Sequence, residues 1–258
     1  NAAKNQRNLL SEFSSEIAEA ILSKMIVLAP PQDALVDEVT VRTYNKGNPI
    51  RFILVGAGFF RKGGREILNS FEKLVKEEEL PIKLVLVSRL HRDYYAAHET
   101  EADIAWAKEK IQTNSDWIEY YETMPNQQVL ELLKACDVGL LPTYADTYGF
   151  SALEAQSAAC PVISTDVRAL PEINNTELGW LINVPKNELG EAYYQTPEDR
   201  QVLSERIQSG LEHIIRGIVQ EPTTIAKKGQ AALEKIKAQH DPVRYGEVLR
   251  EIYEKAVA

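Results

Sequence analysis

Cysteine, histidine and methionine are scarce in this chain. Its 258 residues include two cysteines, four histidines and two methionines. Cys136 and Cys160 both stand in apolar surroundings, the second directly before Pro161. That is the setting of buried, reduced thiols rather than of a disulfide framework, and it leads us to expect a cytoplasmic protein. His91, His98, His213 and His240 lack metal-ligand spacing, the cysteines are far apart, and no Asp-x-Asp occurs. No metal is therefore expected, either structural or as a divalent ion on a diphosphate. A Gly-x-Ser-x-Gly nucleophile turn is missing too. No run of 18 uncharged apolar residues suggests a membrane helix, and no segment reads as a signal peptide. Positive charge is in deficit: Lys and Arg number 29 against 38 Asp and Glu, a net charge of -9. A broad basic surface for nucleic acid is excluded on that balance.

What remains is the composition of an ordinary globular protein, 44% hydrophobic and 26% charged, enough for one large or two small domains. Residues 6–24 carry Leu9, Leu10, Phe13, Ile17, Ala20, Ile21 and Leu22 at near-helical spacing, which predicts an amphipathic helix. Residues 25–29 form a short β-like run stopped by Pro30-Pro31. Residues 32–49 are polar without a period and read as a linker or surface segment. From residue 50 the chain becomes regular. Apolar runs at 50–55, 82–87, 117–121, 138–141, 161–165 and 179–182 predict strands. Helical patterns at 64–75, 101–113, 127–135 and 151–159 fall between them. Strands that read as continuous apolar runs, alternating with helices, predict a parallel sheet covered on both faces. The expected fold is α/β: a doubly wound, Rossmann-like parallel sheet of about six strands. Beyond residue 196 the pattern is purely helical, at 197–218, 222–239 and 242–256.

Two strand-to-helix loops could carry chemistry. The first is Gly56-Ala57-Gly58-Phe59-Phe60-Arg61-Lys62-Gly63-Gly64. It fails the dinucleotide fingerprint, because Arg61 stands where Gly or Ala is needed, and it fails the P-loop, because no Gly-Lys-Ser/Thr follows. It does set two cations and two glycines at a helix N-terminus, where backbone N–H groups and the helix dipole favour an anion. Arg61 can fork two phosphate oxygens and Lys62 adds a compact charge; the alternative is a tight turn with two solvated cations. The second loop is Pro142 to Glu154. Asp146 lies in it and Glu154 follows eight residues later, inside a mostly apolar helix. A ligand across that helix N-terminus could meet both carboxylates, which suit sugar or ribose hydroxyls. Gly149 and Phe150 would offer amides, and Ser151 is the N-cap candidate. Read alone, Asp146 is equally a turn residue and Glu154 a solvent-facing helical glutamate. A glycosidase pair of carboxylates fits less well, because these two frame a helix N-terminus opposite a phosphate-type site. Asp166 and Glu172, after the fifth strand, are either helix caps or further ligand-side groups.

The order of these pieces resembles a known family. Arg61-Lys62-Gly63-Gly64 after the first strand, Cys136-Asp137-Val138 through Leu141-Pro142-Thr143, Asp146 with Glu154-Ala155, Pro161 to Val167, Pro171-Glu172-Ile173 and Gly179-Trp180-Leu181 are similar to the donor-binding half of GT-B glycosyltransferases. The closer likeness is to the group 1, retaining family, over residues 50–184. The resemblance implies sugar transfer from a nucleotide-diphospho-sugar with retention and without metal or other cofactor, the nucleotide-sugar being the substrate. Arg61 and Lys62 would hold the donor diphosphate and offset charge on the departing nucleotide, with Gly63 beside them. Asp146 would contact the transferred sugar and Glu154 the ribose. The Tyr148, Gly149 and Phe150 amides, with Ser151 beside them, would reach sugar hydroxyls or the diphosphate, and the base would lie near residues 121–125. Three departures stand out: Asp146 is one methylene shorter than the family's glutamate, Ala57 replaces an arginine common there, and the usual glycine after the third strand is absent.

The resemblance further implies that residues 1–48 are the tail and connection of a missing N-terminal acceptor domain, and that 49–258 form the donor domain with its C-terminal helices. A start at Asn1-Ala2-Ala3 fits an excised fragment with tag residues. Any peripheral membrane association is expected through the missing half. A nucleotide-sugar epimerase, a phosphorylase or a non-catalytic nucleotide-binding module on the same scaffold are the alternatives; the acid/base or lysine-held-cofactor signatures of the two enzymes are not evident.

Overall fold

The computed structural model describes Leu10 and residues 15–92 and 94–257. Six strands form one all-parallel sheet: β1 (Ile50–Val55), β2 (Ile82–Val87), β3 (Ile118–Tyr121), β4 (Val138–Leu141), β5 (Val162–Thr165) and β6 (Trp180–Ile182), in the spatial order β3-β2-β1-β4-β5-β6. The central strands β4 and β5 are apolar on both faces and buried at all four positions, whereas the outer strands β3 and β6 are only partly buried. Register runs in step from Ile50 opposite Ile82 to Val55 opposite Val87, and Phe52 lies opposite Val138. Chain order reverses between β1 and β4, so the crevice beyond their carboxyl ends is the switch point where doubly wound sheets bind ligands.

Helices cover both faces. On one side α2 (Gly64–Lys76) packs against α3 (Glu101–Thr113) and against the long α7 (Pro197–Gln220). On the other, α5 (Phe150–Ser157) packs against α4 (Asn126–Ala135) and α8 (Thr223–Gln239). A four-residue helix, α6 (Leu170–Ile173), follows β5, and α9 (Pro242–Val257) ends the chain. The stripe Ile67, Leu68, Phe71 and Leu74 of α2 is wholly buried. Phe71 meets Phe52 edge-on at 5.3 Å and stacks on Trp117 at 6.4 Å, tying helix to sheet. Reciprocal capping boxes start α3, through Thr100 and Asp103, and α7, through Thr196 and Asp199 with Pro197 in the first turn. No helix among the described residues is long and apolar enough to cross a membrane.

The first fifty residues depart from expectation. The predicted helix at 6–24 is observed only as α1 (Ser15–Leu22); its earlier residues, apart from Leu10, lie outside the described residues. The β-like run at 25–29 is not a strand. Ile26 and Val27 are 62% and 67% exposed, and no partner strand accepts their backbone. Apolar β-branched residues favour a strand only where a sheet edge and a core receive them.

The polar stretch after it has no regular structure, yet it is held like a strap. Gln32 N donates to His240 O at 2.8 Å, His240 Nδ1 lies 2.8 Å from Pro30 O, and Leu35 N donates to Ser157 O at 2.8 Å. Buried Asp137 accepts from Arg42 Nη1 at 2.6 Å, Tyr44 Oη at 2.9 Å and Arg51 N at 2.8 Å. A carboxylate taken out of water needs such partners, and they join the strap to the start of β1 and β4.

Candidate functional site

The two candidate loops meet at the switch point. The first runs from β1 to α2 and the second from β4 to α5, the neighbouring strands whose helices leave to opposite faces. Each helix begins at a left-handed glycine: Gly63 at φ 81° and Gly149 at φ 97°. Neither glycine can be replaced without strain. A Cβ on Gly63 would overlap the Pro142 carbonyl oxygen, and one on Gly149 would lie 2.5 Å from Leu170 Cδ2. The close approach of Gly63 to Pro142 brings the N-terminus of α2 against the second loop.

Backbone and side chains zip the loops together. Tyr144 N donates to Arg61 O at 2.9 Å, and Thr143 Oγ1 lies 3.0 Å from the same oxygen. Arg61 Nη1 donates to Ala145 O at 2.8 Å, and Thr165 Oγ1, from β5, donates to Thr143 O at 2.7 Å. The result is a rigid seam, with its hydrogen bonds shielded by the sheet.

Lys62, Asp146 and Glu154 are brought together on this seam. Lys62 is buried, its aliphatic stem lies along Gly56, and its Nζ pairs with Asp146 Oδ2 at 3.0 Å. The other oxygen, Oδ1, accepts from Gly149 N at 2.9 Å, so Asp146 also closes the turn into α5. Glu154 is half-buried one turn into α5. Burial pushes its carboxyl above the usual range, and the nearby Lys62 charge pulls the other way. One cation thus faces two carboxylates at the meeting point of two helix N-termini. Each helix N-terminus carries the positive end of its dipole, which favours an anion; in α2 the Gly63 and Gly64 amides are already held by Phe60 O at 3.0 Å and Phe59 O at 2.9 Å, and in α5 the Ala152 amide is held by Gly149 O at 2.9 Å.

The remaining predicted residues divide. Tyr148 packs against the core and its phenol is raised by burial; its ring lies 5.3 Å from that of Phe150, which is 58% exposed. Ser151 does not cap α5. Gly149 is the N-cap, and the Ser151 hydroxyl is buried without a partner; the residue lines a small cavity with Ile53, Gly139 and Leu140. A glycine in the left-handed region ends the loop two residues earlier than a serine cap would. Asp166 is not a helix cap either: Oδ1 accepts from Val184 N at 3.1 Å and the carboxylate pairs with Lys186. Glu172 lies inside α6, whose N-cap is Ala169.

Sequence reading missed three residues of this site, Glu66, Tyr144 and Ser204. Tyr144 donates from its hydroxyl to Glu66 Oε1 at 2.8 Å, and Ser204 of α7 donates to the same oxygen at 2.7 Å. Nothing in local spacing points to Glu66, because its partners lie 78 and 138 positions away.

Known proteins resemble this chain in sequence and fold. The sequence model for "Glycosyl transferases group 1" matches residues 49–196, the sheet and both loops. The chain belongs to that family. O-antigen chain mannosyltransferase B of Escherichia coli is 27% identical over 113 residues, a match that covers 44% of this chain and 28% of that protein. HepE of Anabaena, solved in complex with UDP and glucose, superposes with a TM-score of 0.63 at 14% identity, over 98% of this chain and 67% of that one. The C-terminal domain of the group 1 protein LpcC from Francisella tularensis superposes with a TM-score of 0.56 at 17% identity, over 82% of this chain and 99% of that domain. Sucrose-phosphate synthase from Thermosynechococcus elongatus gives 0.58 at 18% identity, with 81% of this chain and 46% of that enzyme covered. The chain therefore spans less than half of the mannosyltransferase and of the synthase. The structural likenesses, all under 25% identity, establish the fold: an α/β, Rossmann-like half of a GT-B architecture.

Proposed function

We propose that this chain is the donor-binding half of a retaining, metal-independent group 1 glycosyltransferase, acting from a nucleotide-diphospho-sugar. One observation carries the reading: a buried lysine, paired with an aspartate and facing a half-buried glutamate, where two helix N-termini meet at the switch point. Two anionic phosphates suit that position, and they would draw Lys62 Nζ away from Asp146. Lys62 carries the larger share of the diphosphate, because Arg61 Nη1 already donates to Ala145 O. As the bond to the nucleotide breaks, charge develops on the diphosphate, and Lys62, Arg61 and the positive end of the α2 dipole beside Gly63 stabilise it. Asp146 and the first-turn amides of Phe150 and Ser151 orient the sugar; the Gly149 amide is held by Asp146. Tyr148 borders that subsite, and Glu154 takes the ribose hydroxyls. The solved HepE complex with UDP and glucose, on the same fold, supports a nucleotide-sugar ligand. The coverage of the mannosyltransferase and of the synthase supports an acceptor domain outside residues 49–258, with residues 15–48 as its connection. Reduced, buried Cys136 and Cys160 support a cytoplasmic setting.

Titration calorimetry with uridine, guanosine and adenosine diphosphates tests the reading. At least one should bind, and Lys62→Ala should weaken it by about 10- to 100-fold, the worth of a charge-assisted hydrogen bond. Binding untouched by Lys62→Ala would sink the assignment.

A further inference from the structure

Among the buried polar groups that the proposed chemistry does not use, Glu66 is the most anomalous. It sits in the first turn of α2, three residues after Gly63, and is 1% exposed. No cation pairs with it. Its Oε1 takes both hydroxyl donors, Tyr144 Oη and Ser204 Oγ, while its Oε2 is buried without a partner. Burying a carboxyl with one oxygen unpaired is unfavourable. A group kept at such cost invites a specific role. The contact it makes is with the residue between Thr143 and Ala145, in the seam that carries Asp146.

The geometry points to Glu66 as a positioning residue of the donor site: through Tyr144 it fixes the 142–149 loop to α2, and so sets where Asp146 meets Lys62. The inference rests on the donor-site reading above. The path is short and fully hydrogen-bonded. Ser204 anchors Glu66 from α7, and Gln208 Nε2 donates to Ser204 Oγ at 3.0 Å. Tyr144 is clamped at both ends, its hydroxyl on Glu66 of α2 and its amide on Arg61 O of the loop before that helix. Ala145 and Asp146 follow directly, and Lys62 adjoins Arg61. Without the Tyr144 hydroxyl bond the seam keeps its backbone contacts but loses the tie that sets its height above α2. Buried networks of this kind specify one arrangement among several close in energy.

The test compares Tyr144→Phe, Glu66→Gln, Glu66→Ala and, as a control for lost packing, Leu74→Ala at the far end of α2. Two readouts are taken on the full chain: hydrogen exchange at amides 142–149, and affinity for whichever of uridine, guanosine or adenosine diphosphate the wild type binds. Tyr144→Phe and Glu66→Ala should accelerate exchange in 142–149 and weaken nucleotide binding by about threefold to tenfold, the worth of one buried hydrogen bond. Glu66→Gln keeps an oxygen for both hydroxyls and should stay within about twofold of wild type in each readout. Leu74→Ala should lower the unfolding midpoint while leaving both readouts unchanged. Wild-type exchange in 142–149 for a folded Tyr144→Phe overturns the inference, as does Glu66→Gln behaving like Glu66→Ala. Should no nucleotide bind the wild type, the donor-site reading fails, and the exchange arm alone still decides whether Glu66 sets the loop.

Discussion

Replacing Gly63 by alanine should be among the most damaging single-methyl additions possible in this chain. Gly63 sits at φ 81°, a left-handed conformation that costs a residue with a Cβ about 1–2 kcal/mol. The added methyl also has nowhere to go. It would overlap the Pro142 carbonyl oxygen and approach the ring carbon Cγ to 2.9 Å. Backbone and a proline ring yield poorly, and overpacking of this kind costs about 1–3 kcal/mol. The sum is about 2–5 kcal/mol, equivalent to a fall in unfolding midpoint of about 4–20 °C for a chain of this size. The strain falls on the contact that holds the two loops together, so nucleotide binding should suffer beyond the loss of stability. Gly217 provides the comparison. It lies in α7, and a Cβ there meets nothing within 4 Å. Alanine at that position should stabilise by about 0.5–1 kcal/mol, by removing a flexible residue from a helix. Chemical denaturation of both variants, alongside calorimetry with a nucleoside diphosphate, reads the contrast. Equal stability for Gly63→Ala and Gly217→Ala, or a Gly63→Ala protein that binds nucleotide like wild type, would refute the reasoning about the seam.

Further outcomes follow from the same structure. Burial holds the Glu66 carboxyl above its usual 4.5, so between that value and the raised one the folded chain keeps a proton that the unfolded chain has released. Stability from neutral Glu66 is then fully present below 4.5 and declines as pH rises through the folded value; Glu66→Gln should flatten that decline in denaturation curves taken across pH 4–9 (about that range). Arg42→Ala should destabilise the chain by about 1–3 kcal/mol in urea unfolding, because it removes the cation from buried Asp137. Asp137→Asn should restore part of that loss in the double variant, and independence of the two substitutions would show that the strap is not held through this pair.

The sheet was legible because its strands are continuous apolar runs, and parallel pairing leaves no solvent face to disguise them. The start of α2 was legible from Gly63-Gly64 after the two cations, whereas that of α5 was read one residue late, at Ser151. The site residues on those loops, Lys62, Asp146 and Glu154, could be named one by one from the chain. Their pairing could not, since the contact of Lys62 with Asp146 spans 84 positions. Ser151 was misread as a cap because its hydroxyl suits the role, whereas the glycine two residues earlier had already turned the chain. The strap at 25–48 was the least legible part. Its order comes from Asp137, His240 and the Ser157 carbonyl, groups on distant elements that leave no period in the strap itself. Glu66 escaped notice on the same ground: a single polar residue beside an apolar stripe looks like a surface position until α7 is folded over it.

The central claim is that a diphosphate lies where α2 and α5 begin, between the two loops. A crystal structure of the chain soaked with the nucleoside diphosphate that binds it tests this most directly. The account predicts phosphate oxygens within hydrogen-bond reach of Lys62 Nζ at the N-terminus of α2, with a ribose hydroxyl on Glu154. A nucleotide bound away from the carboxyl ends of β1 and β4, with Lys62 still paired to Asp146, would contradict it.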